Sequence, residues 1–294
     1  MNKENLLLLI RANKKKPLLL DGAIGSFLQT SGHLIDKHLW SSRLNIEQPE
    51  LIIKLHSDYI NAGADIITTN TFRTNPLAKK KSDLSITNVE FVNRSVQLAK
   101  DISIKRKVII AGSNAPAEDC YQNERTISAF DLEYNHKKHI ELLFNAGVDI
   151  IWNETLSHLD EIEIISRFCS DNKIPFAINL FCDANLKLLS GQHLNEVVEI
   201  ISAYSPAGIG INCIKPELFK KYILLNTQNN INGFYLNCGL EEFGEGTFKC
   251  SINPEDYFLQ IKDFLTEELL YIGSCCGSSP LHTKMLREKI DEIY

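Results

Sequence analysis

What the chain lacks narrows it first. No apolar run is long enough to cross a membrane or to form the core of a signal peptide: Leu6 to Ile10 is short and flanked by Lys3, Glu4, Arg11 and Lys14 to Lys16, so it reads as a short first helix with a solvated basic end. There is no excess of positive charge. With 31 Lys and Arg against 37 Asp and Glu, the net charge is −6, which argues against nucleic acid and anionic membranes and for small-molecule partners. No Gly/Ser-rich linker or low-complexity stretch divides the chain, and no GxGxxG or P-loop follows any apolar run, which removes the common phosphate cradles. The eight cysteines fall short of disulfide-scaffold density in 294 residues, and without an export signal the expected setting is a reducing cytoplasm. None of the eight histidines has metal-ligand spacing; His136 and His139 read as helix surface and receive no role.

What is present is a regular alternation. With 44% hydrophobic residues the chain can bury a large core. Short apolar runs of strand type occur at Leu18–Leu20, Ile66–Thr69, Val108–Ala111, at and before Ile151, Pro175–Phe181, Gly208–Ile211, Gly233–Leu236 and Leu269–Ile272. Helical spacing fills most of the intervals, for example Leu51, Leu55, Tyr59 and Ala62 after Pro49. Asp21 to about Glu47 reads as an irregular polar loop. One joint recurs: Asn61-Ala62-Gly63-Ala64-Asp65-Ile66-Ile67 is echoed by Asn145-Ala146-Gly147-Val148-Asp149-Ile150-Ile151. Eight strands each followed by a helix predict one (β/α)8 barrel over residues 1–294, with its active site on the loops at the C-terminal ends of the strands.

Those ends carry Asp21, Asn70 with Thr71, Ser113, Glu154, Phe181, Cys213, Asn237, Cys275 and Cys276. Adjacent strand residues face opposite ways, so Cys275 and Cys276 share a task only where the backbone leaves the strand. Gly273 and Gly277 permit that departure, and Ser279 and Pro280 suit the cap and first position of the next helix. With Cys213 on a similar turn, three thiolates could hold a zinc ion and leave its fourth position open, as catalytic zinc sites do. A buried Cys213 acting as a small hydrophobe and a vicinal redox pair are the other readings of the same residues. Zinc held by three thiolates carries local charge −1; it is a weak Lewis acid toward water but keeps an added thiol ionised and nucleophilic. Thiol alkylation, and methyl transfer in particular, is the reaction class this favours. Asp21 and Glu154 offer general acid and base, or a seat for a cation.

Asp21-Gly22, Thr69-Asn70-Thr71-Phe72, Glu154-Thr155, Gly210-Ile211-Asn212-Cys213, Tyr235-Leu236-Asn237 and Gly273-Ser274-Cys275-Cys276-Gly277 together resemble the homocysteine S-methyltransferase family, over nearly the whole chain. The resemblance implies zinc ligation by Cys213, Cys275 and Cys276, completed by the sulfur of homocysteine, and an amino-group seat at Glu154 and Asp21; Gly22 and Asn70 join the expected substrate-binding set. The chain departs from the family at Ser274 (usually Gly), at Leu236 (usually Pro) and in the Gly112-Ser113-Asn114-Ala115-Pro116 turn. Arg73 adds a cation that would repel a sulfonium donor unless it pairs with a carboxylate or points away. Ending one helix after the eighth strand, the chain resembles the stand-alone members that use S-methylmethionine or S-adenosylmethionine, and methionine is the expected product. A barrel served by a separate corrinoid protein, and a non-catalytic zinc or thiol sensor, are the rival readings. The sequence carries no signal for oligomeric state.

Overall fold

A computed structural model describes residues 15–103, 106–226, 230–240, 249–250 and 252–294. The helix expected around Leu6 to Ile10 lies outside the described residues.

Eight parallel strands form one sheet: β1 (Leu18–Leu19), β2 (Ile66–Thr68), β3 (Ile109–Asn114), β4 (Ile150–Leu156), β5 (Phe176–Leu180), β6 (Gly208–Asn212), β7 (Gly233–Leu236) and β10 (Tyr271–Ser274). A small antiparallel hairpin, β8 (Gly239–Leu240) and β9 (Lys249–Cys250), is inserted after β7 and was not expected. The sheet runs β1-β10-β7-β6-β5-β4-β3-β2, and a parallel bridge from Leu20 to Ile66 brings its two edges together. The Asp21 N–H donates to the Ile66 carbonyl at 2.9 Å, so the barrel closes at the position where Asp21 enters the mouth.

Alternation decides which side chains fill the interior. Leu18, Leu20, Ile66, Ile109, Ala111, Ile150, Trp152, Ala177, Tyr235 and Tyr271 form one cluster inside the barrel. Their neighbours Leu19, Ile67, Ile110, Ile151, Ile178, Phe234 and Ile272 point out against the helices. Tyr271 lies across the barrel against Gly210 and Gly233, where an added Cβ would sit 2.3 Å from its hydroxyl and 2.1 Å from its ring. Only glycine fits at those two positions.

The repeated joint has a physical basis. Gly63 and Gly147 both adopt the left-handed conformation that ends a helix (φ 101° and 91°). The aspartate two residues later then serves the preceding strand: Asp65 accepts from the Leu19 N–H at 2.9 Å, and Asp149 from the Ile110 N–H at 2.8 Å.

Three expectations need correction. The segment after β1 is not irregular throughout, since it folds into helix Gly25–Thr30, a 3-10 turn at Ser41–Arg43 and helix Leu44–Glu47. A further short helix, Pro76–Lys80, was not anticipated; Asn75 caps it by accepting from the Ala78 N–H. His136 and His139 are fully buried on helix Ala129–Ala146, not on its surface. Polar partners make that burial tolerable: Glu161 is 2.9 Å from His136 Nε2, and the Asn114 amide oxygen and the Thr74 hydroxyl are 2.8 and 2.9 Å from the two His139 ring nitrogens.

Candidate active site

The loops at the C-terminal strand ends enclose a cavity of about 480 Å³. At one side stand three sulfurs. Cys213 follows β6 directly, in a left-handed conformation (φ 60°), with its N–H bonded to the Tyr235 carbonyl. Cys275 leaves β10 with its N–H on the Leu236 carbonyl, and Cys276 accepts from the Cys238 N–H. Gly277 then turns back (φ 82°) so tightly that a side chain there would strike the Gly239 backbone. The result is a Cys213–Cys275 sulfur separation of 3.2 Å and a Cys213–Cys276 separation of 3.5 Å, with all three sulfurs within 4.8 Å of one another.

That spacing fits a metal ion. Tetrahedral zinc at about 2.3 Å from each sulfur needs sulfurs about 3.8 Å apart, so Cys213 has to draw back from the other two by only about half an ångström. A donor set of three thiols suits zinc among the common divalent ions, and the side of the cluster facing the cavity stays open. Bonds from Cys275 and Cys276, with one from the Tyr121 hydroxyl, hold the Cys213 thiol well below its usual range, so the cluster already favours a thiolate at that sulfur.

Two buried carboxylates face the same cavity. Asp21 accepts from both the N–H (2.9 Å) and the hydroxyl (3.1 Å) of Thr68. Burial nevertheless pushes its pKa well above the carboxylate range, against those bonds and with a further push from Glu154. Glu154 accepts a short bond from the Ser113 hydroxyl and one of 3.4 Å from Tyr235. Burial lifts it to about 7. Two buried acids that bear on one another are relieved by a cation between them, as an ammonium group would be.

Glu154 and Cys213 are held to each other by neighbours that sequence reasoning left out of the site. The Thr155 N–H donates to the Asn212 amide oxygen at 2.9 Å, and the Asn212 amide donates to the Thr155 hydroxyl at 2.9 Å. Thr155, like Cys213, has positive φ (59°). This reciprocal pair joins the ends of β4 and β6, one residue from the carboxylate and one from the sulfur. Tyr121 was also missed. Its hydroxyl is 3.2 Å from the Cys213 sulfur, and its ring meets Phe181 edge-on at 5.1 Å. The one available signal was its place beside Cys120 in the loop after β3.

The remaining expected residues divide by what their side chains do. Gly22 lines the cavity close to Tyr59 and Ser278, where a Cβ would collide. Asn70 reaches the rim, but its amide is committed to Ser41 and Asn45 and so braces the loop above the mouth. Asn237 holds the Cys213 carbonyl at 2.9 Å. Ser274 is buried at the end of β10 beside Cys275. Arg73 lines the cavity with its guanidinium 5.2 Å from the centre of the Phe72 ring. Its Nη1 donates to the Pro116 and Glu118 carbonyls at 2.9 and 2.8 Å.

A barrel whose mouth joins three converging thiols to two buried carboxylates defines a class of enzyme that activates a thiol. The homocysteine S-methyltransferase family model matches residues 18–290, and the chain belongs to that family. It is a methyltransferase, of a family whose reaction is methyl transfer to homocysteine. A homocysteine S-methyltransferase of Escherichia coli (strain K12) is 26% identical over 305 residues, covering 94% of this chain and 96% of the relative. A betaine-homocysteine S-methyltransferase of Drosophila melanogaster is 27% identical over 295 residues, covering 87% and 88%. The metallated form of an Escherichia coli homocysteine methyltransferase superposes with a TM-score of 0.76 at 25% identity, covering 96% of this chain and 99% of that one. Among the described residues no helix is long and apolar enough to cross a membrane.

Proposed function

We propose that this enzyme moves a methyl group from a small sulfonium, S-methylmethionine or S-adenosylmethionine, to the thiol of homocysteine, giving methionine, with zinc held by Cys213, Cys275 and Cys276. The observation that carries the reading is the meeting of three sulfurs and two buried carboxylates in one cavity of about 480 Å³, room for two amino-acid-sized substrates.

Glu154 and Asp21 take the ammonium group of homocysteine, which turns its side chain toward the three cysteines. Gly22, packed too closely against Tyr59 and Ser278 for a side chain, lets the backbone of the loop after β1 come up to the amino-acid head. When bound, zinc supplies ionisation of the incoming thiol at neutral pH while leaving that sulfur nucleophilic. The homocysteine sulfur attacks the methyl carbon in line; the new S–CH3 bond forms as the donor's C–S bond breaks, and the electron pair leaves on the donor sulfur, which becomes a neutral thioether. The thiol proton goes to solvent, and no external oxidant or reductant is needed. Ser113 and Tyr235 keep the Glu154 carboxylate aimed while this happens. A reducing cytoplasm belongs to the same reading, since free thiols persist there.

The donor is the part on which the relatives differ, because one of them is named for betaine. Methionine formation from homocysteine by zinc-loaded protein, with S-methylmethionine, S-adenosylmethionine and betaine compared side by side, tests it. Turnover with a sulfonium supports the proposal; turnover with betaine alone replaces the donor, and no turnover with any of the three overturns the reading.

A further inference from the structure

Arg73 is the one cationic side chain among the residues that line the cavity. It pairs with no carboxylate among the described residues. Only its Nη1 is engaged, by two backbone carbonyls, and the Phe72 ring lies 5.2 Å away. Nε and Nη2 make no hydrogen bond with the described residues, yet the group is half-buried and its position is fixed from two sides. A fixed guanidinium with spare donors facing a cavity is a seat for a planar anion, and a carboxylate is the natural one.

Both substrates of the proposed reaction carry a carboxylate, and the surroundings separate them. The ammonium and carboxylate of homocysteine sit on one carbon, so an acceptor whose ammonium rests on Glu154 keeps its carboxylate close to Glu154. Glu154 is held by the hydroxyls of Ser113 and Tyr235, whereas Arg73 is tied to the Pro116 and Glu118 carbonyls and the Phe72 ring. Arg73 itself stands on the loop that follows β2, anchored to the loop that follows β3. There its charge would repel a bare sulfonium. A sulfonium that carries its own carboxylate is instead attracted by that end and turned with its methyl-bearing sulfur away from the arginine, toward the thiols.

We infer that Arg73 is the specificity residue for the methyl donor, receiving its carboxylate and restricting the enzyme to zwitterionic methyl donors. The inference rests on the proposed methyl transfer. It is tested by comparing S-methylmethionine with its methyl ester, which has the same sulfonium and ammonium but no carboxylate, in the wild type, Arg73→Gln and Arg73→Lys, all loaded with zinc.

A charge-assisted pair of this kind gives the wild type a preference for the free acid of about tenfold or more in kcat/KM. Arg73→Gln should bring that preference close to parity by raising the KM of the acid, while homocysteine KM and zinc content change by less than about twofold. Arg73→Lys should keep much of the preference. A purely structural arginine that braces the Pro116–Glu118 loop would instead depress acid and ester alike, leave their ratio untouched, and overturn the inference. A rise confined to homocysteine KM would overturn it too, because the carboxylate would then be the acceptor's.

Calorimetric binding of S-methylmethionine to the wild type and to Arg73→Gln makes the test independent of turnover. Binding by the wild type that Arg73→Gln loses supports the inference even if no methionine forms, an outcome that would count only against the proposed reaction. Equal binding by both proteins, or none by either, overturns it.

Discussion

Replacing Asn212 by Ala removes the reciprocal bonds that tie the end of β4 to the end of β6. Both residues of the pair are buried, at 0% and 3% exposure, so water does not take over the lost partners. An orphaned buried N–H on Thr155 costs about 1–3 kcal/mol. The positive φ values of Thr155 and Cys213 represent about 1–3 kcal/mol each of strain that the surrounding structure must hold in place. Part of that strain is released when the pair is broken and offsets part of the loss, so the expected net loss of stability is about 1–2 kcal/mol, readable as a lower urea midpoint. The more specific consequence is positional. Relaxation of either residue moves Glu154 or the Cys213 sulfur, and a shift of about 1 Å at a reacting centre costs on the order of 10²-fold in rate. Asn212→Ala should therefore lower kcat and weaken zinc retention in a chelator competition, with Thr155→Val giving a smaller effect in the same direction. A variant that loses stability but keeps wild-type kcat and zinc affinity refutes the positioning argument; one that loses neither refutes the energetic one.

Three other outcomes follow from the same geometry. Cys213→Ala should leave the circular dichroism spectrum unchanged yet abolish tight metal binding and activity, because two sulfurs remain where three are needed; unchanged zinc content would exclude Cys213 as a ligand. Only the ionised form of Glu154 holds an ammonium, and burial lifts that carboxyl to about 7. Homocysteine KM should accordingly fall about tenfold from pH 6 to pH 8, and Glu154→Gln should remove that component while raising KM throughout; a pH profile identical in Glu154→Gln would take the residue out of the site. Glu161 is opposed by burial but drawn down to about 2 by His136 and Arg125. Its stabilisation is thus complete above its ordinary value and fades as pH falls toward 2. Glu161→Ala, which leaves His136 and Arg125 without their carboxylate, should cost about 3–5 kcal/mol by urea unfolding, and a loss below about 1 kcal/mol would make the pair dispensable.

The legible parts of this protein are those whose signal is local. Gly273, Gly277, Ser279 and Pro280 around the cysteine pair announce a strand that ends in a turn and a capped helix, and Ser279 and Pro280 take those positions. The eight apolar runs announce the barrel because each lies in one short stretch of chain. What stayed hidden depends on partners far apart in sequence. Asn212 and Thr155 are separated by 57 positions, and neither looks like more than a turn residue by itself. His136 and His139 lie on the same helical stripe as Leu132 and Ile140, but a histidine is buried only if something receives it. The receiving groups, Asn114, Glu161 and Thr74, come from three other segments. Arg73 was visible as a charge near the mouth, whereas its tether to the Pro116 and Glu118 carbonyls depends on the path of the loop after β3. The segment after β1 misled for the opposite reason. Its polar residues suggest loop, yet Asn45 accepts from the Asn70 amide and donates to the Ser95 hydroxyl, and so fixes short helices over the mouth.

In the proposed reaction Cys213, Cys275 and Cys276 together hold zinc and leave a place for the substrate sulfur. X-ray absorption at the zinc edge, on protein with metal content measured in the same sample, tests it most directly. The expected result is one zinc per chain with three sulfurs at about 2.3 Å and one lighter atom, changing to four sulfurs when homocysteine is added. Protein that binds no zinc, or zinc whose sulfur shell is unaltered by homocysteine, would contradict it.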